Sequence, residues 1–172
     1  MSHATLGTSS EVSLNNNEIV LNKRPVNIRD FLMTFRNHHL YTLELQNISI
    51  IMQTIPDLII AFIDQEKILQ VLNQFIENSR SALPEGGDIY LKAYRQSDTV
   101  IISLIDNGSG IKEENLKKIN LGHTNFIVGK QVKLGVGLFI SRWIVQAHGG
   151  QISVDSQVGQ GSKVSVCLPL YC

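Results

Sequence analysis

VIISLIDNGSGI, residues 100–111, is the stretch on which the reading of this chain turns. Val100 to Ile105 is short, β-branched and almost wholly apolar, the signature of a buried strand. It ends on a carboxylate, Asp106, followed by Asn107 and by two glycines one residue apart, Gly108 and Gly110. An ionised carboxylate is a pure acceptor and can pair with an exocyclic amine such as adenine's. The glycines would let a planar group approach the backbone. Asn-Gly also makes an ordinary tight turn, and by themselves these twelve residues leave both readings open. A calcium loop fits less well, because its second and third acidic ligands are absent and Lys117 stands where the terminal glutamate belongs.

Working outward, Ile89 to Tyr94 is a second strand, joined to the first by the polar turn Gln96-Ser97-Asp98. Before it, Asp64 caps a long helix that reaches Leu83, with Gln65 and Glu66 in its first turn. The core face of that helix is Ile68, Leu72, Phe75, Ile76, Ser79 and Leu83, and Pro84 to Gly87 ends it. Ile48 to Met52 and Leu58 to Ile63, separated by Pro56, read as strands in a hairpin-like pair. Asn27 caps a helix from Ile28 to about Leu43, with Phe31, Leu32, Phe35 and Leu40 on one face, and a short strand precedes it over Glu18 to Val26.

Downstream, Glu113 to Ile119 reads as a short helix and Leu121 to Leu134 as a long irregular loop. Val136 to Ala147 is helical, closed by His148-Gly149-Gly150. Gln151 to Asp155 and Ser162 to Leu168 are the last strands. The order lacks the regular β-α alternation of a doubly wound fold. It predicts an α+β two-layer sandwich, a mixed β-sheet covered on one face by helices.

The 172 residues suffice for one domain. Fifteen basic and fifteen acidic residues cancel, which gives no global electrostatic reason to bind nucleic acid or an anionic membrane. No run approaches the ~20 apolar residues of a membrane span, and the N-terminus lacks a signal pattern. Cys167 and Cys172 have no CxxC or Cys/His company, so they read as ordinary thiols in a reducing compartment. Met1 to Ser10 is small and polar and reads as a linker or tag remnant.

Three further features share an order with Asp106. On the Asp64–Leu83 helix, Lys67, Gln70, Gln74, Glu77, Asn78 and Ser81 form a polar stripe opposite the core face. A solvated face would look the same, but an asparagine oxygen is also a hard neutral ligand that can share Mg²⁺ with phosphates. Gly135-Val136-Gly137-Leu138 enters the next long helix, where backbone N–H groups and the helix dipole favour phosphate. No GxxxxGK[ST] occurs, so this is not a P-loop. Gly159-Gln160-Gly161-Ser162 is a tight turn into the last strand.

Together these four resemble the boxes of the GHKL, or Bergerat-fold, ATPases. Gln70 to Ser79 resembles the N box, DNGSGI the G1 box, Gly135 to Gly150 the G2 box and following helix of bacterial sensor histidine kinases, and Gly159 to Ser162 the G3 box. The resemblance covers about Asn16 to Leu170, with residues 1–15 as linker or tag remnant and 16–172 as the ATP-binding catalytic domain. It implies that Asp106 binds the adenine amine, with Ser162 supporting it through water. Asn78 holds Mg²⁺, and Gly108, Gly110 and Ile111 lie against the base. Gly135, Val136, Gly137 and Leu138 meet the phosphates, and Leu121 to Leu134 is the lid over ATP.

The chain departs from the pattern in places. Gln74 stands where gyrase-like relatives have a water-activating glutamate, and an amide cannot act as that base; Gln74 and Asn78 are therefore the residues beside the transferred group, in a site that does not favour hydrolysis. Ser81 replaces a lysine common three residues after the Mg²⁺ asparagine. Lys133 and Leu134 replace the usual lid hinge, and Lys130 or Lys133 is a candidate for supplying the missing positive charge.

A histidine kinase also needs an acceptor histidine on a dimerising helix pair. His38 and His39 lack the acidic neighbour expected there, His123 falls in the lid, and His148 in a helix-ending turn. The acceptor is expected on a separate dimerisation-phosphoacceptor domain of a homodimeric parent, with this piece monomeric and cytoplasmic and a response regulator receiver domain as an indirect partner. A nucleotide-sensing module that signals by docking without transfer is the alternative, and a serine-directed anti-sigma-factor-type kinase of the same fold a third reading.

Overall fold

Asp64 and Asn27 each start a helix by the same means. The Asp64 side chain accepts from the backbone N–H of Lys67, and Asn27 Oδ1 accepts from those of Arg29 and Asp30, supplying acceptors to donors that have no partner inside the helix. A computed structural model describes residues 19–53, 58–121 and 134–170, of which 134–136 by backbone alone. The expectations for residues 1–18, Pro56, the segment 122–133 (with His123, Lys130 and Lys133), the Val136 side chain and Cys172 lie outside what it describes.

The elements are β1 (Arg24–Asn27), α1 (Ile28–Glu44), β2 (Ile48–Met52), β3 (Ile60–Ile63), α2 (Gln65–Ala82), β4 (Gly87–Gln96), β5 (Thr99–Asp106), α3 (Glu113–Asn120), α4 (Leu134–Ala147), β6 (Gln151–Gln157) and β7 (Gly161–Pro169). Five strands form one mixed sheet in the order β2-β4-β5-β7-β6, parallel at β2–β4 and antiparallel elsewhere. Its alternate residues Ile89, Leu91, Ala93, Val100, Ile102, Leu104, Val154, Val166 and Leu168 are buried against Phe35 of α1, Leu72, Phe75 and Ile76 of α2, and Val145 of α4. This is the expected α+β sandwich. Full burial of side chains such as Leu72 and Phe75 stabilises it by roughly 1.5–3 kcal/mol each.

Two expectations are corrected. β2 and β3 do not pair with each other: β2 runs parallel to β4, and β3 pairs antiparallel with β1 in a separate two-stranded sheet. The segment between β2 and β4 contains α2, which is the helical crossover that a parallel pair requires. β3 instead lies beside β1, the strand that leads into α1, and the first residue of α1, Ile28, donates its N–H to the Ile59 carbonyl just before β3. The first strand is also displaced, running Arg24–Asn27 rather than Glu18–Val26. Val20 is exposed, while Pro25 sits inside the strand, which a two-stranded ribbon tolerates because one edge of each strand needs no ladder donor.

Candidate functional site

β5 carries Asp106 out of the core to the end of the sheet, where its carboxylate remains buried at 5% exposure. Among the described residues three donors meet it. Oδ1 accepts from the backbone N–H of Gly108 at 3.1 Å and of Ser162 at 3.2 Å, and Oδ2 accepts from Ser79 Oγ at 3.0 Å. Burial pushes its pKa above the usual carboxylate value, partly offset by these three bonds. A carboxylate oxygen has two lone pairs. Those of Oδ1 are both used, and one on Oδ2 is left to accept a further N–H donor.

The glycines around it have packing reasons of their own. A Cβ at Gly108 would fall 2.6 Å from the Ala82 carbonyl on α2, and one at Gly110 would fall 2.1 Å from the Gln157 carbonyl. Gly110 also has φ +70°. What these residues offer a ligand is backbone. Ile111 is half-buried against the core and donates its N–H to Ser156 Oγ.

α2 brings the next pair. Gln74 and Asn78 are one turn apart and half-buried, and Gln74 Nε2 donates to Asn78 Oδ1 at 3.0 Å. The bond uses one lone pair of the Asn78 oxygen and fixes its direction, leaving a neutral oxygen of the kind that suits Mg²⁺. α4 packs on α2 so closely that a Cβ at Gly137 would fall 2.0 Å from Gln74 Oε1. Gln70, Glu77 and Ser81 of the polar stripe are exposed. Ser81 Oγ bonds back to the Glu77 carbonyl and Glu77 pairs with Arg80, so this part of the stripe is a solvated helix face.

α4 starts at Leu134, two residues earlier than expected. Among the described residues the N–H groups without a helical acceptor therefore belong to 134–136, and the N–H of Gly137 is the first inside the helical ladder, which corrects the phosphate role expected of it. Leu138 lies two positions beyond those free donors and its side chain is buried in the core. Ser162 reaches Asp106 through its backbone N–H, while its hydroxyl lies 3.1 Å from Ser156 Oγ. The structure thus brings Asn78, Asp106, Gly108, Gly110, Ile111, Gly137 and Ser162 around the sheet end where β5, α2, α4 and the β6–β7 turn meet.

Sequence reasoning missed three residues. Ser79 was read as core face, yet its hydroxyl holds Asp106. Ser156 knits the turn together, accepting from Ile111 and donating to the Gly161 carbonyl at 2.7 Å. His148 is not merely a turn residue but buried, with both ring nitrogens engaged. A lone serine or histidine carries no spacing signal that distinguishes these roles. His39, by contrast, bonds Asn73 of α2 and stacks edgewise on Phe35, which makes it a packing residue.

No helix among the described residues is long and apolar enough to cross a membrane. Comparison with known proteins places the geometry. Residues 63–171 match the family model described as histidine kinase-, DNA gyrase B- and HSP90-like ATPase. The adaptive-response sensory kinase SasA of Synechocystis is 33% identical over 158 residues, 91% of this chain but 41% of that protein, so the chain spans less than half of this relative's length. Among solved structures, the catalytic domain of histidine kinase ThkA superposes with a TM-score of 0.75 at 23% identity, covering 87% of this chain and 96% of that one. Full-length ShkA in complex with AMPPNP gives 0.76 at 24%, covering 88% and 32%, and ThkA in complex with the response regulator TrrA gives 0.71 at 24%, covering 88% and 42%. The chain belongs to the GHKL family of histidine kinase-, gyrase B- and HSP90-like ATPases, and its relatives are sensor histidine kinases.

Proposed function

We propose that residues 16–172 form the catalytic domain of a histidine kinase, which binds Mg·ATP and donates the γ-phosphoryl group to a histidine on a separate dimerisation-phosphoacceptor domain. The observation that carries the reading is the buried Asp106 carboxylate, saturated at Oδ1 and open at one lone pair of Oδ2. It is an acceptor built for one more donor, which the adenine amine supplies. Asn78 would hold Mg²⁺, whose charge neutralises the phosphate oxygens during transfer. The first-turn N–H groups of α4, at Gly135 and Val136, would receive phosphate, with Gly137 giving the close approach of α4 to α2. Gln74 orients Asn78 and offers no base to a water, which suits a site that transfers the phosphoryl group rather than hydrolysing ATP. Lys130 is the proposed added cation.

Phe139, Ile140 and Trp143 are exposed on α4 directly after the phosphate-facing turn. They provide an apolar face on which the acceptor domain can present its histidine. A receiver domain of a response regulator is the proposed downstream partner, as the ThkA–TrrA complex illustrates for that kinase, and the cytoplasm is the proposed setting.

The decisive experiment mixes the chain with a matched dimerisation-phosphoacceptor domain and γ-labelled ATP. Label is expected on the acceptor histidine and not on His38, His39 or His148. Nucleotide binding without transfer would replace the kinase reading by that of a sensing module.

A further inference from the structure

His148 and Asp64 are 84 residues apart in sequence, yet the backbone N–H of Asp64 donates to His148 Nε2 at 3.0 Å. On the other side of the ring, Nδ1 lies 2.8 Å from the Ile144 carbonyl. A backbone amide can only donate and a carbonyl can only accept, so the ring is the neutral tautomer with its proton on Nδ1. Its place in the fold matters. His148 directly follows α4, and Asp64 is the cap that opens α2.

Near the start of α4 and midway along α2, Gly137 is pressed against Gln74. Gln74 lies ten residues beyond Asp64, and Gly137 eleven before His148. At 1.5 Å of rise per residue these are spans of about 15 and 16 Å, which match as an antiparallel pair. α4 and α2 are therefore tied at two points, by a glycine contact beside Asn78 and by a histidine bond at the far end. The glycine contact allows close approach but specifies no axial position, having no side chain to catch. The histidine bond does specify one.

We propose that His148 is a positioning residue that fixes the axial register of α4 on α2, and so the distance from the first turn of α4 to Asn78. The proposal rests on the nucleotide site described above, since that register matters to ligand only if both helices face it. A slip of one residue would move Gly137 by about 1.5 Å along Gln74 and Asn78.

Protonation offers a way to release the tie, because it turns Nε2 into a donor facing another donor. The charged groups acting on the ring are the Asp64 carboxylate, itself held by the Asn22 and Lys67 amides, and Lys23. Burial holds the pKa of His148 below the usual imidazole value, helped by Lys23 and opposed by the Ile144 bond and by Asp64. The tie is accordingly intact above the ordinary histidine range, and it is lost as pH falls through the lowered folded value.

The test compares the native chain with His148→Gln, whose amide can accept and donate but does not titrate, and with His148→Leu. Mg·AMPPNP affinity is measured by calorimetry from pH 8 to pH 5.5, below each protein's unfolding midpoint. His148→Gln is expected to bind like the native chain at pH 8 and to lose the native fall in affinity in acid. His148→Leu, still folded, is expected to bind about tenfold more weakly at every pH. In the free protein, imidazole nitrogen NMR should show the Nδ1–H tautomer, and the Asp64 amide should exchange faster in His148→Leu. A proton on Nε2, or equal affinities and pH profiles in all three proteins, overturns the proposal. Failure of the native chain to bind nucleotide at pH 8 overturns the site reading instead, and the tautomer and exchange measurements would still test the tie.

Discussion

Ser79 Oγ, on the buried face of α2, donates to Oδ2 of Asp106 at the end of β5, 3.0 Å away. This one bond joins the first two sequence boxes, and the Ser162 N–H on Oδ1 joins the fourth. The carboxylate is thus the point where helix layer, sheet and terminal turn are fastened together. It is a charge in a nearly dry place, held among the described residues by dipoles rather than by a cation, and its acid–base behaviour depends on them.

Ser79→Ala should weaken the fold by about 1.5–3 kcal/mol at pH 8, the usual worth of a hydrogen bond to a charged group. Removing the donor should also raise the Asp106 pKa beyond its present elevation. A carboxyl whose folded pKa lies above its unfolded value costs stability when ionised, and that cost disappears as pH falls below the unfolded value. The penalty of the substitution should therefore shrink from pH 8 toward pH 3.5. Urea denaturation across that range checks it, and a penalty constant with pH would mean that Ser79 acts through packing alone.

Asp106→Asn separates binding from folding. The amide oxygen can still accept from Gly108 and Ser162, and its NH₂ can donate to Ser79 Oγ, so all three contacts survive with only the Ser79 bond reversed in direction. The buried charge is gone, and unfolding free energy at pH 8 should be unchanged or raised. The fourth position, however, now carries a donor where the adenine amine also donates. Affinity for Mg·ATP should fall below detection by calorimetry while the melting temperature holds. Retained affinity would remove Asp106 from the nucleotide site.

Much of this was readable from the sequence where the signal is local. Asp64 and Asn27 announce their helices because capping is a matter of adjacent residues. VIISLI reads as a buried strand because it is short, rich in β-branched residues and bounded by polar turn residues on both sides. Pairing was not readable: Ile48–Met52 and Leu58–Ile63 look like neighbours, and only α2 lying between β2 and β4 makes the parallel partner possible. Glycines were legible as special but not as to why, since Gly108 and Gly110 are required by Ala82 and Gln157, residues that give no hint of it. Ser79 and His148 act through single long-range bonds, which leave no periodicity to read.

The β6–β7 turn allows two kinds of glycine constraint to be separated. Gly159 has φ +76° with nothing within 4 Å of an added Cβ, whereas Gly161 has φ +90° and its Cβ would meet the Asp106 carbonyl oxygen at 1.9 Å. An L-residue pays roughly 1–2 kcal/mol to hold a left-handed conformation, so Gly159→Ala should cost about that and leave nucleotide affinity untouched. Gly161→Ala meets the same strain and a clash with backbone that has no free end to swing away. Relief requires β7 to move off β5 beside Asp106, which takes the Ser162 N–H away from Oδ1. Its expected cost is at least twice that of Gly159→Ala, about 3 kcal/mol or more, and with it a clear loss of Mg·ATP affinity even in the fraction that stays folded. Parallel urea titrations and calorimetry of the two variants check both halves. Equal losses at the two positions would mean that backbone conformation alone, and not the approach of the turn to Asp106, selects glycine there.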